Sequence, residues 1–511
     1  MLLTQSTTKR PDTIALICEG LSVTWHELDL RFNQVANAFI DLGIRAGDKV
    51  GILADMSIEY VEVFLGALRA GACVVPLPTG FTAPALAKII QDSDLKILVI
   101  SHSTKDTLFN LTKHINNPNL THCINLDFRD FKQLSYGDLL QGQSGKSPHI
   151  DIDPNFDFDI IYSSGTTQSP KGILHSHRMR SFQIKRMGRL GLGEMSKTLI
   201  ATPLYSNTTL VALLPTLAYG GTAILMPKFD AIRFLELSEQ HRVTHTMLVP
   251  IQYQRLLRVP DFHTFDLWTY KNKFATGAPM SVAAKKELTS RWPGNFVEIY
   301  GQTEGGCTSL LDTSAHPEKL ASVGRPASGV EVHILDEHDN PLPRGETGEI
   351  VGRAESMMTG YYRRPDLTDR ITWRDKIGAV FYRTGDLGFI DEDGFLFLCG
   401  RKKDVIISGG FNIHATDLEQ ALLEHPIVVD AAVIGVPSEK WGETPLGIVV
   451  LEEECAISAE DLTTWVNDRV SKTHRLSGIK ILKALPRNAA GKIQKRELRQ
   501  AYSRPSDTET K

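Results

Sequence analysis

At 511 residues the chain is long enough to bury more than one core, so two or more domains are expected. Hydrophobic residues make up 42% and charged residues 23%, the balance of an ordinary soluble globular protein. A net charge of −4 excludes recruitment of nucleic acid or anionic membrane by bulk electrostatics, and leaves room for local basic grooves that hold phosphates.

The opening residues, MLLTQSTTKRPD, lack the apolar core of a signal peptide. A helical periodicity runs from Trp25 to Leu42, followed by a β-branched strand at Lys49–Leu53. Ser57 can cap the next helix, Tyr60 to Ala70, but Tyr60 is neither Glu nor Gln, so no full capping box is expected. Further strands are expected at Cys73–Pro76, Lys96–Ile100, Ile160–Tyr162, Leu199–Thr202, Thr222–Met226, Thr246–Val249 and Phe296–Tyr300. Alternation of this kind predicts an α/β fold, with parallel sheets covered by helices. The apolar region Leu210 to Met226 is interrupted by Pro215, Gly220 and Gly221 and is too short for a membrane span.

From Gly324 to Leu398 the chain is rich in Gly, Pro and Asp with short strands (Val330–Leu335, Gly348–Gly352, Phe395–Leu398), which reads as a smaller antiparallel β subdomain. A break follows at Gly400-Arg401-Lys402-Lys403-Asp404. After it come a strand (Val405–Ser408), a Gly-Gly turn, a helix near Thr416 to His425, strands at Ala431–Val436 and Leu446–Leu451, and a helix at Ser458–Val470. The expected division is a large N-terminal domain, residues 1–402, and a small, mobile α+β C-terminal domain, residues 403–511. A polar tail from about Ser503 carries no lipidation or peroxisomal signal. The six cysteines are scattered with no CxxC pair, as expected of reduced thiols in a cytoplasmic protein.

The segment Tyr162 to Gly172, YSSGTTQSPKG, concentrates hydroxyls, glycines and one lysine after an apolar run. Glycine lets backbone approach an anion, hydroxyls donate hydrogen bonds, and Lys171 brings a compact positive charge, a composition suited to a polyphosphate. It is not a Walker A loop, because Lys171 is preceded by Pro170 and followed by Gly172.

Three more segments follow in order: Tyr300-Gly301-Gln302-Thr303-Glu304, Tyr382-Arg383-Thr384-Gly385-Asp386, and Pro486-Arg487-Asn488-Ala489-Ala490-Gly491-Lys492. With the loop and Gly400-Arg401, they resemble the adenylate-forming superfamily: acyl- and aryl-CoA synthetases, firefly luciferases and the adenylation domains of peptide synthetases. The resemblance runs from about Leu21 to Leu498. It implies ATP-dependent activation of a carboxylic acid to an acyl-adenylate, with ATP, Mg2+ and coenzyme A as cofactors or co-substrates. A carboxylate is already ionised at neutral pH and needs no general base. The reaction needs phosphate charge neutralised and two reactants held in line.

The resemblance assigns Ser163, Ser164, Gly165, Thr166, Thr167 and Lys171 to the phosphates, and Glu304 to the magnesium as a hard oxygen donor. Thr303 would donate to the α-phosphate. Tyr300 offers an adenine-stacking face, with Gly277, Ala278 and Pro279 against the other side and Glu298, Ile299, Gly301 and Gln302 alongside. Asp386 and Arg401 would hold the ribose. Lys492 is the implied catalytic lysine, stabilising charge at the α-phosphate. By resemblance the small domain rotates about a hinge at Lys403 and presents Ser408, Gly409 and Gly410 to the pantetheine arm, close to backbone that glycine keeps open.

The sequence departs from the family pattern at Gln168, where glycine is usual, at Ser206, where many relatives have histidine, at Phe411, and around Arg475-Leu476-Ser477-Gly478. His175 and His177 form an HxH pair, read as non-metal because no third ligand lies nearby. The acyl pocket is expected among Tyr205–Thr208 (Tyr205, Ser206, Asn207), Leu248–Gln252 (Val249), Ala275–Gly277 and Tyr300–Thr308 (Gly306). No Lys or Arg falls within these segments, which favours an apolar acid, with a fatty acid preferred, over a dicarboxylate or an amino acid. The partners expected are a small carboxylic acid and either CoA or a separate carrier protein, in a monomer or homodimer without nucleic acid or membrane span. An inactive ATP-binding scaffold is the alternative from outside enzyme chemistry, disfavoured by intact Glu304, Asp386 and Lys492.

Overall fold

The computed structural model describes residues 10–107, 117–128, 134–162, 171–409, 411–452, 457–487 and 491–502. It divides into two compact units. The first takes the described residues of Met1–Leu320, with Ala327–Val330 and Arg353–Tyr382; the second takes Ala321–Pro326, Glu331–Gly352 and the described residues of Arg383–Lys511.

The first unit holds strands β1 (Ile14–Cys18), β2 (Leu21–Thr24), β3 (Lys49–Leu53), β4 (Cys73–Pro76), β5 (Leu95–Ile100), β6 (His122–Asn125), β7 (Leu134–Ser135), β8 (Asp157–Tyr162), β9 (Gly172–Ser176), β10 (Lys197–Ile200), β11 (Thr222–Leu225), β12 (His245–Leu248), β13 (Asn272–Ala275), β14 (Asn295–Gly301) and β15 (Thr308–Asp312). They build two sheets, one ordered β15-β14-β13-β12-β10-β11-β1-β2 and the other β9-β8-β4-β3-β5-β6-β7. Pairing is parallel from β14 through to β1 and from β8 through to β7. This is the parallel α/β architecture that the alternation of elements predicts.

The antiparallel pairs β1–β2, β14–β15 and β8–β9 depart from that expectation. Each joins strands too close in sequence for a helical crossover, so the chain can only fold back. In β1–β2 the turn is Glu19-Gly20, both at positive φ (48° and 84°), the backbone that a two-residue hairpin requires.

Helices Trp25–Asp41 and Ile58–Arg69 pack against strands of both sheets, with Trp25, Phe32, Val35, Tyr60 and Phe64 in the shared core. A β-carbon on Gly66 would lie 2.5 Å from Val35 Cβ, so glycine sets how closely these helices approach. The Ser57 hydroxyl accepts from the Tyr60 amide (3.1 Å), as expected. A full capping box appears one helix earlier, between Thr24 and Glu27. On the opposite face of the β15-to-β2 sheet Trp292 is met edge-on by Phe234, Tyr253, Phe262 and Tyr270. Beside it the fully buried Lys273 donates to the carbonyls of Trp292, Pro293 and Gly294 at the end of helix Val282–Arg291, and burial lowers its pKa to about 7.

The second unit joins the β-rich strands around Val380–Ile390 and Leu396–Arg401 to the C-terminal α+β elements. A hairpin of Val428–Ser438 with Gly442–Leu451 is flanked by Ile406–Ser408 and Ile479–Ile481. Helices Ala415–Leu423 and Ala459–Asn467 close a core of Ile406, Leu418, Leu422, Val433, Val449, Leu462 and Val466. Among the described residues no helix is long and apolar enough to cross a membrane. Cys18, Cys73, Cys123, Cys307 and Cys399 form no disulfide.

Candidate active site

In the first unit the chemistry gathers where β8, β9 and β14 end. Tyr162 and Gly172 face each other across the β8–β9 pair, so the segment between them leaves and re-enters at one point. Ser163, Ser164, Gly165, Thr166 and Thr167 lie outside the described residues, as does Gln168. Gly172 cannot be larger, because a β-carbon would sit 2.7 Å from Ile160 Cγ2 and 2.9 Å from the Tyr162 ring. Tyr162 is itself fixed by donating to Asp92 (2.6 Å). Lys171 Nζ stands 5.2 Å from the centre of the Tyr361 ring, a cation–π contact.

Tyr361 belongs to a two-residue strand, Gly360–Tyr361, that pairs antiparallel with β9. Its hydroxyl donates to Glu304 Oε1 (2.9 Å), and the Glu304 carbonyl accepts from the Met358 amide (2.8 Å). One tyrosine therefore contacts both Lys171, expected at the phosphates, and Glu304, expected to bind the metal. Burial, then the Glu304 charge, raises the Tyr361 pKa far above neutrality, so the phenol stays a donor. Gln302 Oε1 accepts from the Tyr382 hydroxyl (2.7 Å).

Glu298, Ile299, Tyr300 and Gly301 lie on β14, and Gly277, Ala278 and Pro279 follow β13. Gly277 takes φ +95°, a backbone that disfavours a side chain. The Glu298 carboxylate is buried, paired with Lys285 and accepting from the Met280 amide (3.1 Å). Its side chain is committed inside the fold, which leaves its backbone for any ligand. Burial raises the Glu298 pKa despite the opposing pull of Lys285.

Behind this corner lies a buried network. Asp159 on β8 accepts from Arg180 (2.6 and 2.9 Å) and faces His175 Nδ1 at 2.6 Å. His175 Nε2 is 2.7 Å from the Thr303 carbonyl, and Arg180 donates to Gln183 and Asn207 (2.7 Å each). Burial pushes the Asp159 carboxyl up, but Arg180 and His175 outweigh it and hold the group below its usual range. His177 packs edge-on against Phe158, and desolvation lowers its pKa to about 4. The HxH pair thus serves this scaffold; among the described residues no cluster of three or more His, Cys, Asp or Glu could hold a metal ion. A single carboxylate, Glu304, fits Mg2+, which takes few protein ligands and keeps phosphate and water oxygens.

Of the acyl-side residues, Tyr205 and Ser206 precede helix Asn207–Ala218, Asn207 begins it, and Val249 precedes helix Pro250–Leu257. Gly306 lies in the β14–β15 turn, and a Gly277 β-carbon would contact Val249 (3.4 Å). The pocket segments carry no cation of their own, but Arg186 reaches one of them from helix His177–Arg189, donating to Thr308 (3.0 Å).

In the second unit Asp386 and Arg401 are directly opposite on paired strands and form an ion pair (2.6 Å). Gly400 holds φ +127°, and a β-carbon there would crowd Thr416 Oγ1 at 3.1 Å. Lys403 is exposed, in the short 3-10 turn Lys402–Asp404. Ser408 ends a strand. Gly409 (φ +57°) donates to the Trp441 carbonyl (2.9 Å) under the Trp441 ring; Gly410 lies outside the described residues. Lys492 is exposed, next to Ile493, which bridges to Arg487; Arg487 is paired to Asp430 (2.6 Å) and donates to the Gly491 carbonyl.

Residues 3–362 match the AMP-binding enzyme family and residues 417–492 its C-terminal domain. The chain belongs to the adenylate-forming superfamily. Within it the chain is an AMP-forming acid–thiol ligase. It is 30% identical over 508 residues to long-chain-fatty-acid–CoA ligase FadD13 of Mycobacterium tuberculosis (98% of each chain). It is 30% identical over 506 residues to a feruloyl-CoA synthase of Amycolatopsis sp (96% of each). It is 29% identical over 503 residues to the fatty acid–[acyl-carrier-protein] ligase ScoC of Streptomyces coeruleorubidus (96% of this chain, 94% of that). The crystal structure of ATP-bound MatB from Rhodopseudomonas palustris superposes with a TM-score of 0.87 at 28% identity, covering 98% of each chain.

For an adenylate-forming enzyme the residues that sequence reasoning missed are Tyr361 and the Asp159 network. Tyr361→Phe, which keeps the ring under Lys171 and deletes the bond to Glu304, is expected to raise the Mg2+ concentration for half-maximal pyrophosphate release about tenfold. A Mg2+ titration of the variant checks this. Asp159→Asn strands Arg180 and His175 without their anion and is expected to cost about 3–5 kcal/mol, read by urea unfolding. The carboxyl is held below its unfolded value, so its stabilisation is present above about pH 4 and disappears as pH falls through the lower folded value. The acid limb of the variant's stability profile should flatten accordingly.

Proposed function

We propose that this ligase converts an apolar carboxylic acid and ATP to an acyl-adenylate and pyrophosphate, then transfers the acyl group to coenzyme A. The observation that carries the reading is the convergence of Lys171, Tyr361, Glu304 and the carbonyl of Thr303 at one corner. There a lysine and a carboxylate share one positioning residue, which suits a triphosphate that must be held in line. Ser163, Ser164, Gly165, Thr166, Thr167 and Lys171 are assigned the β- and γ-phosphates, and Thr303 the α-phosphate. Glu304 would hold Mg2+, which supplies charge neutralisation at the departing phosphates. Tyr300 and Gly277–Pro279 flank the adenine, while Asp386 and Arg401 hold the ribose.

Lys492 stabilises the α-phosphate as the carboxylate attacks. Residues 403–511 then turn about Lys403, removing Lys492 and bringing Ser408, Gly409 and Gly410 to the thiol. The acid is placed among Tyr205, Ser206, Asn207, Val249 and Gly306. Relatives named for a long-chain fatty acid and for ferulate support an apolar body, aliphatic or aromatic. The relative named for a carrier protein supports a second reading for the acceptor. A screen of pyrophosphate release over carboxylic acids, with CoA, with a phosphopantetheinylated carrier and with neither, tests both. Thioester formed only on the carrier replaces CoA as acceptor; no release with any acid removes the enzymatic reading.

A further inference from the structure

Helix His177–Arg189 sends two arginines inward, and their surroundings differ in charge. Arg180 is neutralised by Asp159 at 2.6 Å. Arg186 donates Nη1 to Thr308 Oγ1 (3.0 Å) and Nη2 to Ser356 Oγ (2.7 Å), and among the described residues it forms no ion pair. Burial lowers its pKa, with no anion opposing the shift. A partly buried guanidinium held only by neutral hydroxyls is an unfavourable arrangement unless an anion arrives. Two of its five N–H groups are used, which leaves donors in a rigid fork suited to a carboxylate.

The two contacts locate that fork. Thr308 lies directly opposite Gly301 on the β14–β15 pair. The Ser356 carbonyl packs so tightly on Gly305 that no β-carbon would fit. Arg186 is therefore fixed to both flanks of the Gly305–Gly306 turn, and Gly306 is assigned to the acyl pocket.

We propose that Arg186 is a specificity-determining residue that receives a second carboxylate on the acid substrate. The substrate class becomes acids with an apolar body and two carboxylates, one activated and the other held by Arg186. This rests on the carboxylate-activating reading above and revises the sequence argument against dicarboxylates, which considered only cations lying within the pocket segments.

The test is pyrophosphate release by the full chain with aliphatic and aromatic dicarboxylic acids, each beside its half methyl ester, which keeps the shape and removes one charge. At least one diacid is expected to exceed its half ester by about 100-fold in kcat/KM. Arg186→Met should abolish that preference through KM for the diacid while leaving the half ester within a few-fold. Arg186→Lys should restore part of it. Half esters or simple monoacids used as well as every diacid by the wild type overturn the proposal without variants. An equal loss for diacid and half ester in Arg186→Met also overturns it, since that is what a purely structural clamp gives. No release with any acid removes the underlying reading and the proposal with it.

Discussion

Replacing Lys492 by alanine is expected to lower acyl-adenylate formation by about 10²–10³-fold while thioester formation from supplied acyl-adenylate stays near the wild-type rate. A cation aimed at charge developing on the α-phosphate acts only in the first half-reaction. Lys492 is exposed, next to Ile493, which bridges to Arg487, and Arg487 pairs with Asp430. Gln494 also donates its amide to the Pro486 carbonyl (2.8 Å). The contacts of Arg487 and Gln494 run through their own side chains and backbone, so Lys492→Ala leaves them in place. Pyrophosphate exchange measures the first step and thioester yield from synthetic acyl-adenylate the second. Equal loss of both would remove Lys492 from its assigned role.

How much of this was legible in the sequence depends on how far each partner lies along the chain. The β14 strand and the Glu304 turn were readable because Phe296–Tyr300 and YGQTE are contiguous. Helix ends and the parallel sheets followed from local periodicity for the same reason. Tyr361 was not readable. Its importance comes from pairing with Ile173 on β9 and bonding to Glu304, contacts that join three distant segments. The HxH pair was visible as an oddity, yet its explanation lay in Asp159 and in a backbone carbonyl at Thr303, and a carbonyl leaves no trace in residue type. Arg186 escaped because a helix brings it to Thr308, at the end of a segment expected to line the pocket that itself contains no Lys or Arg. The Glu19-Gly20 hairpin was missed because a non-glycine residue takes positive φ at its first position, where Asn or Asp is the usual signal.

Lys403→Pro is expected to leave adenylate formation within a few-fold and to lower thioester formation by about 10²-fold. Proline fixes φ near −65° and disfavours the helical backbone at the preceding residue, a penalty of about 3 kcal/mol where that conformation is required. Lys402, the preceding residue, lies in the 3-10 turn and pairs with Glu349 of the β-rich region (3.0 Å). Asp404, the following residue, pairs with Arg499 of the helix behind Lys492 (2.7 Å). Lys403 therefore sits between a residue tied to the β-rich strands and one tied to the helix that follows Lys492. A change in its dihedrals swings the second anchor relative to the first. Lys403→Ala keeps that freedom and should retain both half-reactions, which separates loss of backbone mobility from loss of the amine. If Lys403→Pro supports both half-reactions at wild-type rates, the pivot lies elsewhere in the Gly400–Asp404 break, and Gly400, with its φ of +127°, becomes the next position to restrain.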